Sequence, residues 1–152
     1  GGAGGGAAEC VEITVGPLGD VIGAGDYNYG AATPPIGGAG GDQLLLELYD
    51  GLDTIEIDIA TDSKNGNPST CEACGWIFED DDGVAPSRIY FQESGTISLV
   101  VPGFDTELET EPDSGTLTSV VFREVTLSDP LDLYSAEVVP NGACVRVTAA
   151  SF

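Results

Sequence analysis

Apolar and polar residues alternate with a period of two through most of this chain, and that period places successive side chains on opposite faces of an extended strand. Val11, Ile13 and Val15 alternate with Glu12 and Thr14. Leu44, Leu46 and Leu48 share one face of a second strand, with Leu45, Glu47 and Tyr49 on the other. Ile55, Ile57 and Ile59 alternate with Glu56 and Asp58. The intervening Asp50-Gly51-Leu52-Asp53 predicts a hairpin that pairs these two strands antiparallel. Trp76 and Phe78 mark one further strand, Ile89 and Phe91 another, with the acidic turn from Glu79 to Gly83 between them. Ile97, Leu99 and Val101 mark a separate strand ended by Pro102-Gly103, Thr116 to Leu127 is the longest candidate, and Val145 and Val147 lie in the last. Helical periodicity is scarce: Asp129 to Val138 is the one helix candidate, with Pro130 suited to a first turn. The stretch from Gly16 to Asp42 is rich in glycine and proline and reads as a long surface loop with one or two irregular strands. Short strands separated by Gly, Pro and Asp turns predict an all-β fold, an antiparallel β-sandwich with long Gly/Pro loops.

Length bounds the organisation. A chain of 152 residues with 41% hydrophobic residues can bury a core as one domain. The boundaries that follow are a Gly-rich arm over residues 1–8 and a single β-sandwich domain over residues 9–152. The arm begins without Met and reads as the opening of a processed form whose export signal has been removed.

Charge and missing residue types exclude much chemistry. There are 26 Asp plus Glu against 4 Lys plus Arg, a formal net charge of −22. No basic patch forms from so few cations, so a nucleic-acid backbone or an anionic membrane surface is repelled. The chain has no His, which removes the Ser-His-Asp triad, Cys-His nucleophiles and His-ligated metals. No run of about 18 apolar residues is present to span a membrane. Paired carboxylates for glycoside hydrolysis are plentiful, but nothing in the pattern marks a particular pair, and the chain reads as no enzyme.

Four cysteines, Cys10, Cys71, Cys74 and Cys144, sit in this small acidic chain. A redox pair at Cys71 and Cys74 would need a helix N-terminus, and Gly75-Trp76-Ile77-Phe78 reads as a strand instead. A four-thiolate zinc site is chemically sensible, but an even count favours structural disulfides in an oxidising compartment. Three connectivities are open; the attractive one staples each terminal strand to the loop at Cys71 and Cys74. The expected location is extracellular or at the cell surface.

Two acidic turns are candidate calcium sites, since calcium takes carboxylate and carbonyl oxygens on tight Gly-containing turns. Asp62, Asn65 and Asn67 surround Gly66, and Asp80, Asp81 and Asp82 precede Gly83. Neither reproduces an EF-hand loop. Calcium is thus a possible ligand, and no other cofactor is indicated. Tyrosines could build a sugar-binding platform, whereas Trp76, beside the cysteines in a strand, reads as core.

A resemblance rests on Thr70-Cys71-Glu72-Ala73-Cys74, on Ile89 to Ile97 with its Phe91-Gln92-Glu93-Ser94-Gly95-Thr96, on Gly115-Thr116-Leu117 with Val121 to Val125, and on Gly142-Ala143-Cys144. In this order they are similar to a group of uncharacterised exported bacterial β-domain proteins, often lipoprotein-like. That resemblance implies export and a β fold, and it carries no functional residues.

The functional expectation is a secreted, non-enzymatic structural subunit of an extracellular assembly or filament. A glycine-rich segment loses much backbone entropy on ordering, and a neighbouring subunit supplies contacts to offset that cost, strand addition being one mode. The expected assembly residues are Gly1, Gly2, Ala3, Gly4, Gly5 and Gly6, with a homo-oligomer or polymer as partner. The alternative is a monomeric secreted module that binds calcium or carbohydrate.

Overall fold

The computed structural model describes residues 9–37, 41–49, 55–81, 85–101 and 111–152. The described strands are β1 (Val11–Ile13), β2 (Gly19–Asp20), β3 (Tyr27–Ala32), β4 (Gln43–Leu48), β5 (Glu56–Asp58), β6 (Ala73–Glu79), β7 (Arg88–Val100), β8 (Ser114–Leu127), β9 (Ala136–Val138) and β10 (Cys144–Ser151). All belong to one hydrogen-bonded sheet in the order β1-β10-β8-β7-β6-β4-β3-β2, with β5 added beside β7 and β9 beside β8. The all-β fold is as the sequence predicts. Instead of two wholly antiparallel layers, the strands make one curled, mixed sheet, a half-barrel in which β1 runs parallel to β10. A parallel pair needs a long connection, and here that connection is nearly the whole chain.

The curl originates in the two longest strands. β7 pairs with β8 along its length, but its other side changes partner: Arg88 to Phe91 lie beside β6, and Thr96 to Ser98 beside β5. β8 divides likewise, with Thr116 to Arg123 beside β10 and Val125 to Leu127 beside β9. The register between β7 and β8 shifts around Ser94, where Gly95 has φ 104° and Ser119 φ 49°. An inserted residue in a ladder bends a strand and reverses which face later side chains occupy. Tyr90 and Phe122 on one side of this corner, and Ile97 and Leu117 on the other, therefore all reach the same core. Ile89 to Val101, expected as two strands, is mostly one bent strand.

The main core fills the hollow of the curl with Leu44, Leu46 and Leu48 of β4, Ile57, Ile77, Val145 and Val147. A smaller cluster on the outer face joins Cys71, Cys74, Trp76, Phe91 and Val125, with Leu45 and Tyr49 packed against it. β4 thus buries both faces, which suits a strand flanked on both edges. It pairs with β3 and β6, not with β5, so the expected antiparallel pairing of β4 with β5 is corrected; β5 pairs with β7, and the expected turn at residues 50–53 lies outside the described residues. The strands read at Trp76 and at Ile89 are β6 and β7, and they pair antiparallel. Part of the expected glycine-rich loop is the regular strand β3, held in the sheet by β4 and by burial of Tyr29. The helix candidate is only a 3-10 turn, Leu133–Ser135, followed by β9. Asp132 accepts from the Tyr134 N–H at its start, and no residue of the turn is buried to hold a longer helix.

Candidate functional site

The four cysteines form two bonds, Cys10–Cys144 and Cys71–Cys74, with Cα separations of 4.6 and 5.5 Å. The pairing of each terminal strand with the loop at Cys71 is therefore corrected. Val11 lies opposite Val145 in the parallel ladder, which carries the preceding residues, Cys10 and Cys144, into reach of each other. Cys71 and Cys74 close their own turn and pack beneath Trp76.

Asp62, Asn65 and Asn67 share one turn, and hydrogen bonds define its shape. Asp62 Oδ1 accepts from the Lys64 and Asn65 N–H groups at 3.0 and 2.9 Å, while Oδ2 accepts from Asn65 Nδ2 at 3.0 Å. These bonds, the Asn65 backbone N–H foremost, hold the Asp62 carboxyl below the usual aspartate range. Asn67 Oδ1 accepts from the Ser69 N–H and hydroxyl. Asn65 is buried at 3% exposure, and its Oδ1 accepts from the Glu72 and Ala73 N–H groups, both at 3.0 Å.

This turn plugs the place where β7 leaves β6. Their ladder ends at Trp76 and Phe91, and the next residue, Gln92, substitutes its side chain for strand hydrogen bonds. Gln92 Oε1 accepts from Gly75 N–H at 2.7 Å, and Nε2 donates to the carbonyls of Asn65 and Ala73 at 2.8 and 2.7 Å. A gap in the sheet would otherwise leave three backbone groups buried and unpaired. A Cβ at Gly75 would lie 2.8 Å from Gln92 Oε1, so glycine here leaves the Gln92 amide in place.

Asp80 and Asp81 follow β6 at its opposite end, so the two acidic turns are not brought together. Asp82 and residues 1–8, including Gly1, Gly2, Ala3, Gly4, Gly5 and Gly6, lie outside the described residues. Buried Asp42 ties this end down, accepting from the Asp80 N–H at 2.8 Å and the Ile36 N–H at 2.6 Å. Glu79, also buried, accepts from the Tyr90 hydroxyl. Among the described residues no three Cys, Asp or Glu side chains are grouped as a metal site.

Of the aromatic residues, Trp76 is core, as expected, tilted against Phe91 at 4.7 Å between ring centroids. Tyr29 stacks on Phe152 at 3.7 Å and donates to Glu111. Tyr49 and Tyr134 share a hydroxyl hydrogen bond. The tyrosines are spread over separate parts of the sheet and form no common platform among the described residues.

An open groove of about 760 Å³ lies on the outward face of β1, β10, β8 and β7, lined by Glu9, Cys10, Glu12, Glu93, Ser94, Val121, Arg123 and Arg146. Register builds it: Glu12 lies opposite Arg146, and Arg146 opposite Val121. Arg146 Nη1 bonds Glu12 at 3.3 Å. Arg123 is fixed more firmly, with Nη2 at 2.9 Å from Glu93 and Nη1 donating to the Gly142 carbonyl at 3.0 Å. Two of the four cationic side chains of the chain thus line one groove. The sequence signal for each was an outward polar position in an alternating strand, which says nothing of which strands adjoin.

Comparison with protein families, with curated proteins and with solved structures finds no match to this chain. Among the described residues no helix is long and apolar enough to cross a membrane.

Proposed function

We propose that this chain is an exported, non-enzymatic structural subunit of an extracellular assembly, and that residues 1–8 make its contact with a neighbouring copy. The observation that carries this reading is the Cys10–Cys144 bond. It rivets Cys10, two residues beyond the Gly/Ala segment, to β10, and the outer side of β1 adjoins no other described strand. A segment leaving a fixed sheet edge presents backbone donors and acceptors in a reproducible direction, which is what strand addition between copies requires.

Two further features support it. Buried Asp42, Asn65, Gln92 and Glu79 are each engaged in hydrogen bonds that hold turns and strands. Two disulfides suit an oxidising exterior, and a net charge of −22 opposes lateral clumping. A head-to-tail contact that does not close makes a filament. Deleting residues 1–8 tests the reading by sedimentation and electron microscopy: the deleted chain should stay folded and monomeric while the intact chain polymerises. An intact chain that stays monomeric at high concentration would refute it.

A further inference from the structure

We infer that the groove on β1, β10, β8 and β7 is the receiving site for the Gly/Ala segment, residues 1–8, of a second copy. This rests on the reading that residues 1–8 contact a neighbour, and it adds where they are received. Three observations carry it.

The first is charge. Three acids, Glu9, Glu12 and Glu93, face two arginines here, a local balance of −1 in a chain of −22. Of two other depressions, the one between Leu18 and Phe152 is lined by Asp20, Glu111 and Asp113 with no cation, and the one beside Ile22 by Asp81 alone with no cation. A second copy therefore meets less repulsion at the groove than beside Phe152, and finds there two cations that neither other depression offers.

The second is chemistry. Gly-Gly-Ala-Gly-Gly-Gly-Ala-Ala carries no side-chain charge or hydrogen-bonding group, so backbone N–H and C=O are what it offers. The groove supplies complementary partners, carboxylates that accept from N–H and guanidiniums that donate to C=O. Arg146 bonds Glu12 through Nη1 and is 44% exposed, and a guanidinium has five donors in all. Small side chains also permit the close backbone approach that a shallow groove demands.

The third is length. Eight extended residues span about 26 Å, and four adjacent strands about 14 Å, so the segment crosses the groove with residues to spare. Glu9 and Cys10 line the same groove, so each copy offers its segment beside the place where it receives one.

The test uses the full chain. Arg146→Glu should raise the concentration for half-assembly about tenfold or more, while Arg146→Lys recovers part of the loss. The exposure of Arg146 leaves the fold intact, which an unchanged melting curve verifies. In parallel, an end-capped Gly-Gly-Ala-Gly-Gly-Gly-Ala-Ala peptide titrated into the full chain should compete with assembly and shift the Nε–H resonances of Arg123 and Arg146 saturably. If Arg146→Glu assembles like the parent while deletion of residues 1–8 abolishes assembly, the subunit reading stands and the groove is wrong. If the intact chain never assembles, the subunit reading fails; saturable peptide binding at the groove would still support the groove as the receiver of this segment, and no peptide binding would overturn it.

Discussion

Gly95 of β7 and Ser119 of β8 meet at the corner of the sheet so closely that a Cβ on Gly95 would lie 2.5 Å from the Ser119 carbonyl oxygen. Both residues have positive φ, 104° and 49°. Gly95→Ala therefore combines an unfavourable backbone with a collision against backbone that cannot turn aside, and should cost about 3 kcal/mol. Ser119→Gly relieves the left-handed strain and should change stability by no more than about 1 kcal/mol. Urea denaturation of the two variants checks the contrast; equal costs would remove the corner from the account of the curl.

The disulfides should differ in weight. Cys10–Cys144 joins residues 134 apart, whereas Cys71–Cys74 joins residues three apart. Loop-closure entropy assigns about 5 kcal/mol to the first and about 2 kcal/mol to the second. Paired Cys→Ser replacements should reproduce that order in the denaturation midpoint. Thiol titration of the denatured, unreduced chain should find no free sulfhydryl.

Gln92 and Asn65 should behave as one unit. Gln92→Leu leaves the Gly75 N–H and two carbonyls without partners, and should cost about 3 kcal/mol. Asn65→Ala releases the Glu72 and Ala73 N–H groups. The double variant should cost less than the sum of the two, because both replacements open the same fork. Strict additivity would show that the turn and the fork are independent.

At low pH, Asp62 should be a point of loss. Its carboxyl is held below the ordinary aspartate range by hydrogen bonds, so its stabilisation is present above about pH 4 and fades as pH falls through the lowered folded value. Asp62→Ala should cost about 1 kcal/mol near neutrality, and the gap from the parent should narrow in acid. A gap independent of pH would assign the cost to shape alone.

At high pH the order reverses. Burial, and then the hydrogen bond to Glu79, raises the Tyr90 phenol above the usual range; burial likewise raises Tyr29 and Tyr49, followed by their bonds to Glu111 and Tyr134. Stability from these neutral phenols is present below about pH 10 and is lost as pH rises through the folded values. Phenolate absorbance of the folded chain should therefore rise at higher pH than that of the same chain in urea. Superimposed curves would refute the raised values.

The strands were legible because burial of one face is written locally, as in Leu44, Leu46 and Leu48. The corner was hidden by a coincidence of numbering. Ile89, Phe91, Ile97 and Leu99 are all odd-numbered and suggest one face. In the fold Ile89 and Phe91 belong to the outer cluster, Ile97 and Leu99 to the main core, since the bulge shifts the alternation between them. The false pairing of β4 with β5 had a similar cause. The turn signal at residues 50–53 is local, but the neighbours of β4 were decided by burial of both its faces. Of the candidate site, the cysteines and the Asp62 turn could be found as short motifs. The groove could not, because Glu12 meets Arg146 only through a parallel register set by distant parts of the chain.

The Cys10–Cys144 bond would also determine how a subunit of the proposed assembly bears a load. Tension entering through residues 1–8 passes at Cys10 directly into Cys144, bypassing a span of 134 residues. The hydrogen bonds of the intervening strands then carry no pull between those two points, and load reaches them only where a contact such as that at Arg123 draws on β8. A thread built from such subunits would not lengthen between residues 10 and 144 of each domain, and adding a reductant would make the same thread more compliant by letting the sheet unravel under force.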